Sequence, residues 1–252
     1  MNHAIVRLPS PALIHGISTA GLGEPDYDLA LRQHHGYIKA LKSCGLSVTI
    51  LDADSRYPDS VFIEDVALCT PRCAVITRPG AISRRGETEG MREVLGRFFG
   101  SVEEITGPGT VEAGDIMRVD SHYYIGISER TNSHGADQLI RILNENALTG
   151  STVALRTMLH LKTGVNYLDK NTILVTGEFL SHPTLQPFNR IEVDPEEAYA
   201  ANSLFINGTV LVPAGFPKTR QKIESAGFPV LQVEVSEFRK LDGGLSCLSL
   251  RF

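Results

Sequence analysis

Apolar and polar positions along the chain follow two rhythms that take turns from end to end. Short alternating or continuous apolar runs predict strands, and longer stretches with apolar residues every three or four positions predict helices. The first cycle contains a strand over residues 3–8, a helix over 26–44 and a strand over 47–51. In that helix Leu29, Leu31, Tyr37, Ile38 and Leu41 gather on roughly one face, and Gly45 follows as a C-cap. The order then recurs. Residues 66–70 and 74–77 predict a hairpin across Pro71 and Arg72, followed by a helix around 88–99 and a strand near 102–105. A strand pair at 115–119 and 123–127 precedes a helix at 133–145 and a strand at 153–155. A less regular copy runs through 159–168, 172–175, a short helical segment and 190–193. The fifth has strands at 201–206 and 209–213, a helix at 219–225 and a strand at 230–235. A last strand at 246–252 has no helix after it, and pairing with the N-terminal strand would complete the first unit.

Strand–strand–helix–strand units recurring at roughly 45–50 residues suggest a closed ring of repeats, since each small sheet buries its face only against neighbours. A layered α/β fold with coincidental regularity is the alternative. No linker or charge run divides the sequence, so a single domain spanning 1–252 is expected.

Composition narrows the partners. The chain is 42% hydrophobic and 21% charged, with a formal net charge of −5 and its basic residues scattered. That balance suits a globular protein with a large core and disfavours nucleic acid as a partner. The N-terminus lacks a signal-like apolar run, and no stretch of about 18 apolar residues suggests a membrane span, so the expected location is cytoplasmic. Four cysteines, Cys44, Cys69, Cys73 and Cys247, are then expected as reduced thiols.

Several residues stand out against this background. Cys247 follows Gly243 and Gly244, which let the backbone approach a ligand closely and leave room beside the thiol, although cysteine is equally a small buried core residue. His160, between Leu159 and Leu161, sits in an apolar, strand-like setting, either as a hydrogen-bonded core histidine or as the base of a thiol enzyme. Acidic residues occur in apolar company at Asp59, Glu64 and Asp65, around Val61, Phe62 and Ile63, and again at Glu112 and Asp115. Exposed turns would explain both groups. Buried carboxylates need cationic partners, and few lysines or arginines lie nearby in sequence, so a cationic substrate could serve. Arg84, Arg85 and Arg130 are candidate anchors for a substrate carboxylate. A zinc site on Cys69 and Cys73 would need a second ligand pair, which the sequence does not offer nearby. No dinucleotide, Walker or HExxH pattern is present.

Taken together, the segments 58–65 (PDSVFIED), 76–80 (ITRPG), 83–89 (SRRGETE), 109–115 (GTVEAGD), 159–164 (LHLKTG) and 241–247 (LDGGLSC) resemble the dimethylarginine dimethylaminohydrolase family, especially its bacterial form, and the likeness runs end to end. The resemblance implies the pentein fold of the guanidino-group-modifying enzymes: an α/β five-bladed propeller of ββαβ modules around a pseudo-fivefold axis. It implies a hydrolase of linear amidines that converts asymmetric dimethylarginine or monomethylarginine to citrulline and the methylamine through a thiouronium intermediate. By position, Cys247 would be the nucleophile, His160 the general acid and base, and Glu112 the residue that orients His160. Glu64 and Asp65 would hold the guanidinium, with Phe62 against its plane. Arg84 and Arg130 would take the α-carboxylate, with Asp59 and the backbone of Ile17 and Leu241 around the α-amino end. Ile17 falls in a Gly/Ser-rich loop that the family uses as a lid. No cofactor and no metal is implied, and a homodimer is a family-level expectation. Two rivals remain: a deiminase or amidinotransferase of arginine or agmatine, and a binding protein that keeps an arginine pocket without turnover.

Overall fold

The computed structural model describes residues Met1–Phe252. Strand β1 (His3–Arg7) leads through a one-turn 3-10 helix to α1 (Tyr27–Ser43) and β2 (Ser47–Leu51). The Asp26 side chain caps α1 by accepting the Leu29 N–H at 2.8 Å, and Gly45 ends it at φ 85°, where a side chain would be strained. The hairpin β3 (Ala67–Cys69) and β4 (Ala74–Ile76) is followed by α2 (Met91–Gly96) and β5 (Val102–Glu104). Next come β6 (Ile116–Val119), β7 (His122–Ile127), α3 (Ser133–Glu145) and β8 (Thr149–Ala154). The one-turn α4 (Leu161–Gly164) precedes β9 (Val165–Tyr167), β10 (Thr172–Val175) and β11 (Asn189–Glu192). Then β12 (Leu204–Ile206), β13 (Thr209–Pro213), α5 (Pro217–Ser225) and β14 (Val230–Val233) lead to the short α6 (Ser236–Arg239) and β15 (Leu250–Arg251).

These strands form five three-stranded sheets of one design. In each, two strands pair antiparallel and the middle one pairs parallel with the strand that follows the crossover. A parallel neighbour cannot be reached by a tight turn, so each module needs its helical crossover. The C-terminal strand does pair with β1, Ala4 opposite Arg251, and closes the first module as expected.

Several elements differ from the sequence pattern. The helix expected around 88–99 is shorter: Thr88 still belongs to a 3-10 segment (Ile82–Thr88), Gly90 at φ 76° stands at the N-cap, and α2 runs only from Met91 to Gly96. The fourth crossover is two 3-10 turns, Gly177–Ser181 and Pro183–Leu185, where Gly177 at φ 57° and Pro183 prevent a continuous α-helix. Residues 246–252 are strand only at Leu250–Arg251, and Cys247 lies in a 3-10 turn, Ser246–Leu248.

The chain divides into two compact units, Met1–Ile63 with Gly164–Arg251, and Glu64–Thr163 with Phe252. The first has one apolar core around Val6, Tyr37, Leu41, Phe62, Phe238 and Leu248, and another around Leu174, Val210, Val212 and Ile223. The second packs Val75, Tyr123, Ile125, Leu139 and Leu143 between its two sheets and α3.

Candidate active site

Within the unit Glu64–Thr163, His160 lies on the turn just before α4, and not in the strand that its apolar neighbours suggested. Leu159 and Leu161 alternate around it as they would in a strand, but Asp115 overrides the pattern: its Oδ1 accepts the Leu161 N–H at 2.9 Å and fixes the start of α4. Asp115 is itself fully buried, takes the Ser128 hydroxyl on Oδ2 at 2.6 Å, and has its carboxyl pushed up by burial. The sequence showed this residue as half of an acidic pair but not its task of holding the histidine's turn.

The His160 Nε2 is 2.8 Å from Oε2 of Glu112, and both side chains are buried. Burial opposes a charged imidazole, but Asp65, the hydrogen bond to Glu112, and the charges of Asp115 and Glu112 outweigh it and raise the pKa to about 9. Burial likewise works against a charged Glu112, yet His160, with help from Arg84 and Arg130, holds it down at about 2. At neutral pH the pair is an imidazolium donating to a carboxylate. Gly114 makes room for it, since a Cβ there would lie 2.8 Å from His160 Nδ1 and 3.0 Å from Asp65 Oδ1. The Gly114 N–H also donates to Asp65 Oδ1 at 2.9 Å.

The buried carboxylates do have protein cations as partners, contrary to the expectation drawn from local sequence. Arg84 donates from Nη1 to Asp65 at 2.7 Å and from Nε and Nη2 to Glu87 at 3.0 and 2.8 Å. Burial would weaken its proton, but Glu87 and Asp65 keep the guanidinium firmly charged. Lys162 pairs with Glu64. Arg130 reaches Glu112 more loosely, at 3.4 Å, and its side chain is 18% accessible against 6% for Arg84. Replacing Arg84 by methionine would take from buried Asp65 and Glu87 the guanidinium that they share, so Arg84→Met is expected to lower stability by about 3–5 kcal/mol. Urea unfolding at neutral pH measures this loss.

Asp65, Glu112 and His160 place their polar atoms within 4.8 Å of one another, close enough to surround a cation. In this cluster, however, Nε2 is spent on Glu112, and Asp65 is shared between Arg84 and Gly114, so the protein's own groups neutralise the acids.

In the unit Met1–Ile63 with Gly164–Arg251, Cys247 is a half-buried free thiol. The Gly244 N–H points at its Sγ, 3.3 Å away. The paired glycines answer to packing: a Cβ on Gly243 would lie 2.1 Å from the Phe62 ring, and one on Gly244 would lie 2.4 Å from Asn202 Cγ. Protein therefore fills the space on the Cβ side of both glycines. The buried Phe62 ring also meets Phe238 edge-on at 6.2 Å. Buried Asp59 accepts the Ile17 N–H at 3.0 Å, and Leu241 packs beside Gly16. The glycine-rich loop is tied at its start. Thr19 donates from its N–H and hydroxyl to Asp242, and Ser18 donates to the Lys240 carbonyl. Asp242 makes these contacts from a left-handed backbone, φ 59°. Ile17, Asp59, Phe62, Leu241 and Cys247 thus share one unit, whereas Glu64, Asp65, Arg84, Glu112, Arg130 and His160 share the other. The thiols of Cys44 and Cys73 are pushed up chiefly by burial, as expected of packing residues.

Comparison with known proteins fits this inventory. The family model described as arginine deiminase matches residues 57–209. A dimethylarginine dimethylaminohydrolase of Pseudomonas aeruginosa is 55% identical over 99% of each chain. A cysteine-to-serine variant of that organism's enzyme, solved with citrulline, superimposes with a TM-score of 0.98 over 100% of this chain and 99% of its own. A histidine-to-glycine variant of a dimethylarginine dimethylaminohydrolase, solved as an adduct with S-methyl-L-thiocitrulline, matches with the same TM-score, identity and coverage, 0.98, 55% and 100% with 99%. The fold, with its five ββαβ sheets, is accordingly the α/β pentein fold. At this identity over essentially the whole length, the chain belongs to the dimethylarginine dimethylaminohydrolase family. No helix is long and apolar enough to cross a membrane.

Proposed function

We propose that the protein hydrolyses asymmetric dimethylarginine and monomethylarginine to citrulline and the corresponding methylamine, with residues 1–252 acting as one catalytic domain. The observation that carries this reading is the buried Glu112–His160 pair at 2.8 Å, whose imidazole is poised as a proton donor. A protein that only bound arginine would need acids but not a charged histidine beside them. Two relatives support the thiol chemistry: a cysteine-to-serine variant was solved with citrulline, and a histidine-to-glycine variant as an adduct with S-methyl-L-thiocitrulline.

In this mechanism the Cys247 thiolate adds to the central guanidinium carbon, forming an S–C bond. His160 gives its proton to the departing amine as the C–N bond breaks, leaving a thiouronium on Cys247. The now neutral His160 takes a proton from water, the hydroxyl adds to the same carbon, and cleavage of the S–C bond releases the thiolate and citrulline, the remaining hydroxyl proton passing to solvent. Glu112 fixes the ring and keeps the imidazolium charged. Asp65 and Glu64, with Phe62, are proposed for the guanidinium, and Asp59, Ile17 and Leu241 for the amino end. Of the two arginines proposed for the α-carboxylate, Arg130 has the freer guanidinium, since Arg84 is held by Asp65 and Glu87. A cytoplasmic location and a homodimer belong to the same reading and rest on family likeness.

The test is turnover of asymmetric dimethylarginine, monomethylarginine, arginine and agmatine by purified protein, with intact-mass analysis for an adduct on Cys247. Citrulline from the methylated substrates together with a trapped adduct is expected. Faster turnover of plain arginine would overturn the substrate assignment, and neither product nor adduct would overturn the enzyme.

A further inference from the structure

The loop that presents Cys247 is held by two side chains that belong to none of the motifs above. Tyr199 and Asn202 lie at the C-terminal end of a 3-10 helix (Pro195–Ala201), where the Asn202 N–H donates to the Tyr199 carbonyl at 3.2 Å and joins them in one turn. The Tyr199 hydroxyl donates to the Gly243 carbonyl at 2.7 Å. Asn202 grips Ser246 twice: Oδ1 accepts the Ser246 N–H at 2.9 Å, and Nδ2 donates to the Ser246 hydroxyl at 3.0 Å. Its amide plane is also the surface against which Gly244 packs, too close for any Cβ. The two contacts therefore bracket Gly244 and Leu245 from both sides.

What they bracket is a donor aimed at the thiol. Between Gly243 and Ser246 the chain turns so that the Gly244 N–H faces Cys247 Sγ at 3.3 Å, while the Gly244 carbonyl accepts the Cys247 N–H at 3.2 Å. A backbone N–H stabilises a thiolate only if its direction is fixed beforehand, because a free loop would turn that donor toward water. Tyr199 is well suited to hold it. Burial, and then the negative charge at Cys247, push its phenol far up, so it stays a neutral donor. The Arg239 guanidinium lies over its ring at 5.0 Å and over Phe216 at 5.2 Å, which clamps the ring from outside.

We propose that Tyr199 and Asn202 are positioning residues for the nucleophile, fixing the Gly243–Ser246 turn so that the Gly244 N–H stabilises the Cys247 thiolate. The inference rests on the reading of Cys247 as the nucleophile. Neither residue need touch substrate, so their loss should act on kcat and on the thiol and leave substrate binding nearly unchanged.

The test uses Tyr199→Phe, Asn202→Ala and the double variant in the full chain. Alkylation by iodoacetamide is followed at the Cys247 peptide by mass spectrometry across pH, beside kcat and KM for asymmetric dimethylarginine. Loss of one oriented hydrogen bond predicts a fall in kcat of up to about tenfold, with KM within about twofold. The same loss predicts a thiol midpoint raised by roughly half a unit to one unit. Tyr199→Phe removes one oxygen and keeps the part-buried ring, so it decides the matter if Asn202→Ala fails to fold. Folded variants with an unmoved alkylation midpoint and unchanged kcat would overturn the proposal. Because alkylation needs no turnover, a wild-type protein inert toward methylarginines would instead count against the activity.

Discussion

Cys247→Ser is expected to abolish turnover, lowering kcat by roughly 10^4-fold or more, because the variant removes a nucleophile whose loss disables the catalytic unit as a whole. A serine hydroxyl is far less acidic than a thiol, and the Gly244 N–H that suits a large, polarisable thiolate at 3.3 Å cannot make up that difference. The fold should hardly respond. Cys247 is half-buried, and the substitution exchanges one small side chain for another and removes no large apolar group. Substrate affinity, measured by calorimetry with asymmetric dimethylarginine, should stay within about threefold of the wild type, since the proposed binding groups are untouched. Activity retained within tenfold would mean another nucleophile. Cys44 and Cys73 are poor candidates, since Cys73 is buried in the hairpin and burial raises both thiols.

The repeat was legible in the sequence because crossover topology forces it. A strand that must pair parallel with its neighbour needs an intervening helix, so the modules wrote themselves as alternating periods of two and 3.6 residues. The helix at Ser133–Glu145 and the strands Ser47–Leu51, Thr172–Val175 and Thr209–Pro213 fall where the pattern put them. Misplaced segments are those where a single backbone or polar contact outweighs periodicity, as Asp115 does at Leu161 and Gly90 does before α2. The ion pairs were the least legible part. Asp65 meets Arg84 across 19 residues and Glu64 meets Lys162 across 98, distances over which composition says nothing about pairing. Tyr199 and Asn202 gave no signal for a similar reason: their partners lie 44 residues away, in a loop whose glycines looked like room for a ligand.

Glu112→Gln carries the second large expectation, because it separates what holds the His160 ring from what charges it. Glutamine can still accept from Nε2, so the ring should keep its place, but the anion that helps raise the imidazole to about 9 is gone. In the wild type a general acid must be protonated, and kcat should therefore fall as pH rises through about 9. Removing the negative charge lowers the histidine's pKa, so the falling limb should move toward neutrality. At pH 7.5 the loss in kcat should be on the order of 10^2- to 10^4-fold, the range known for carboxylates that orient a catalytic histidine. The same linkage governs stability. A histidine whose folded pKa lies above its unfolded value of 6.5 contributes stability fully present below 6.5 and lost as pH rises through about 9, so the wild type should lose this contribution across that window. Glu112→Gln should lose less of its remaining stability over the same window. Paired profiles of kcat and urea midpoint against pH, from 6 to about 10, test both halves together. An alkaline limb that stays in place in Glu112→Gln would show that the group titrating there is not the His160 imidazole held by Glu112.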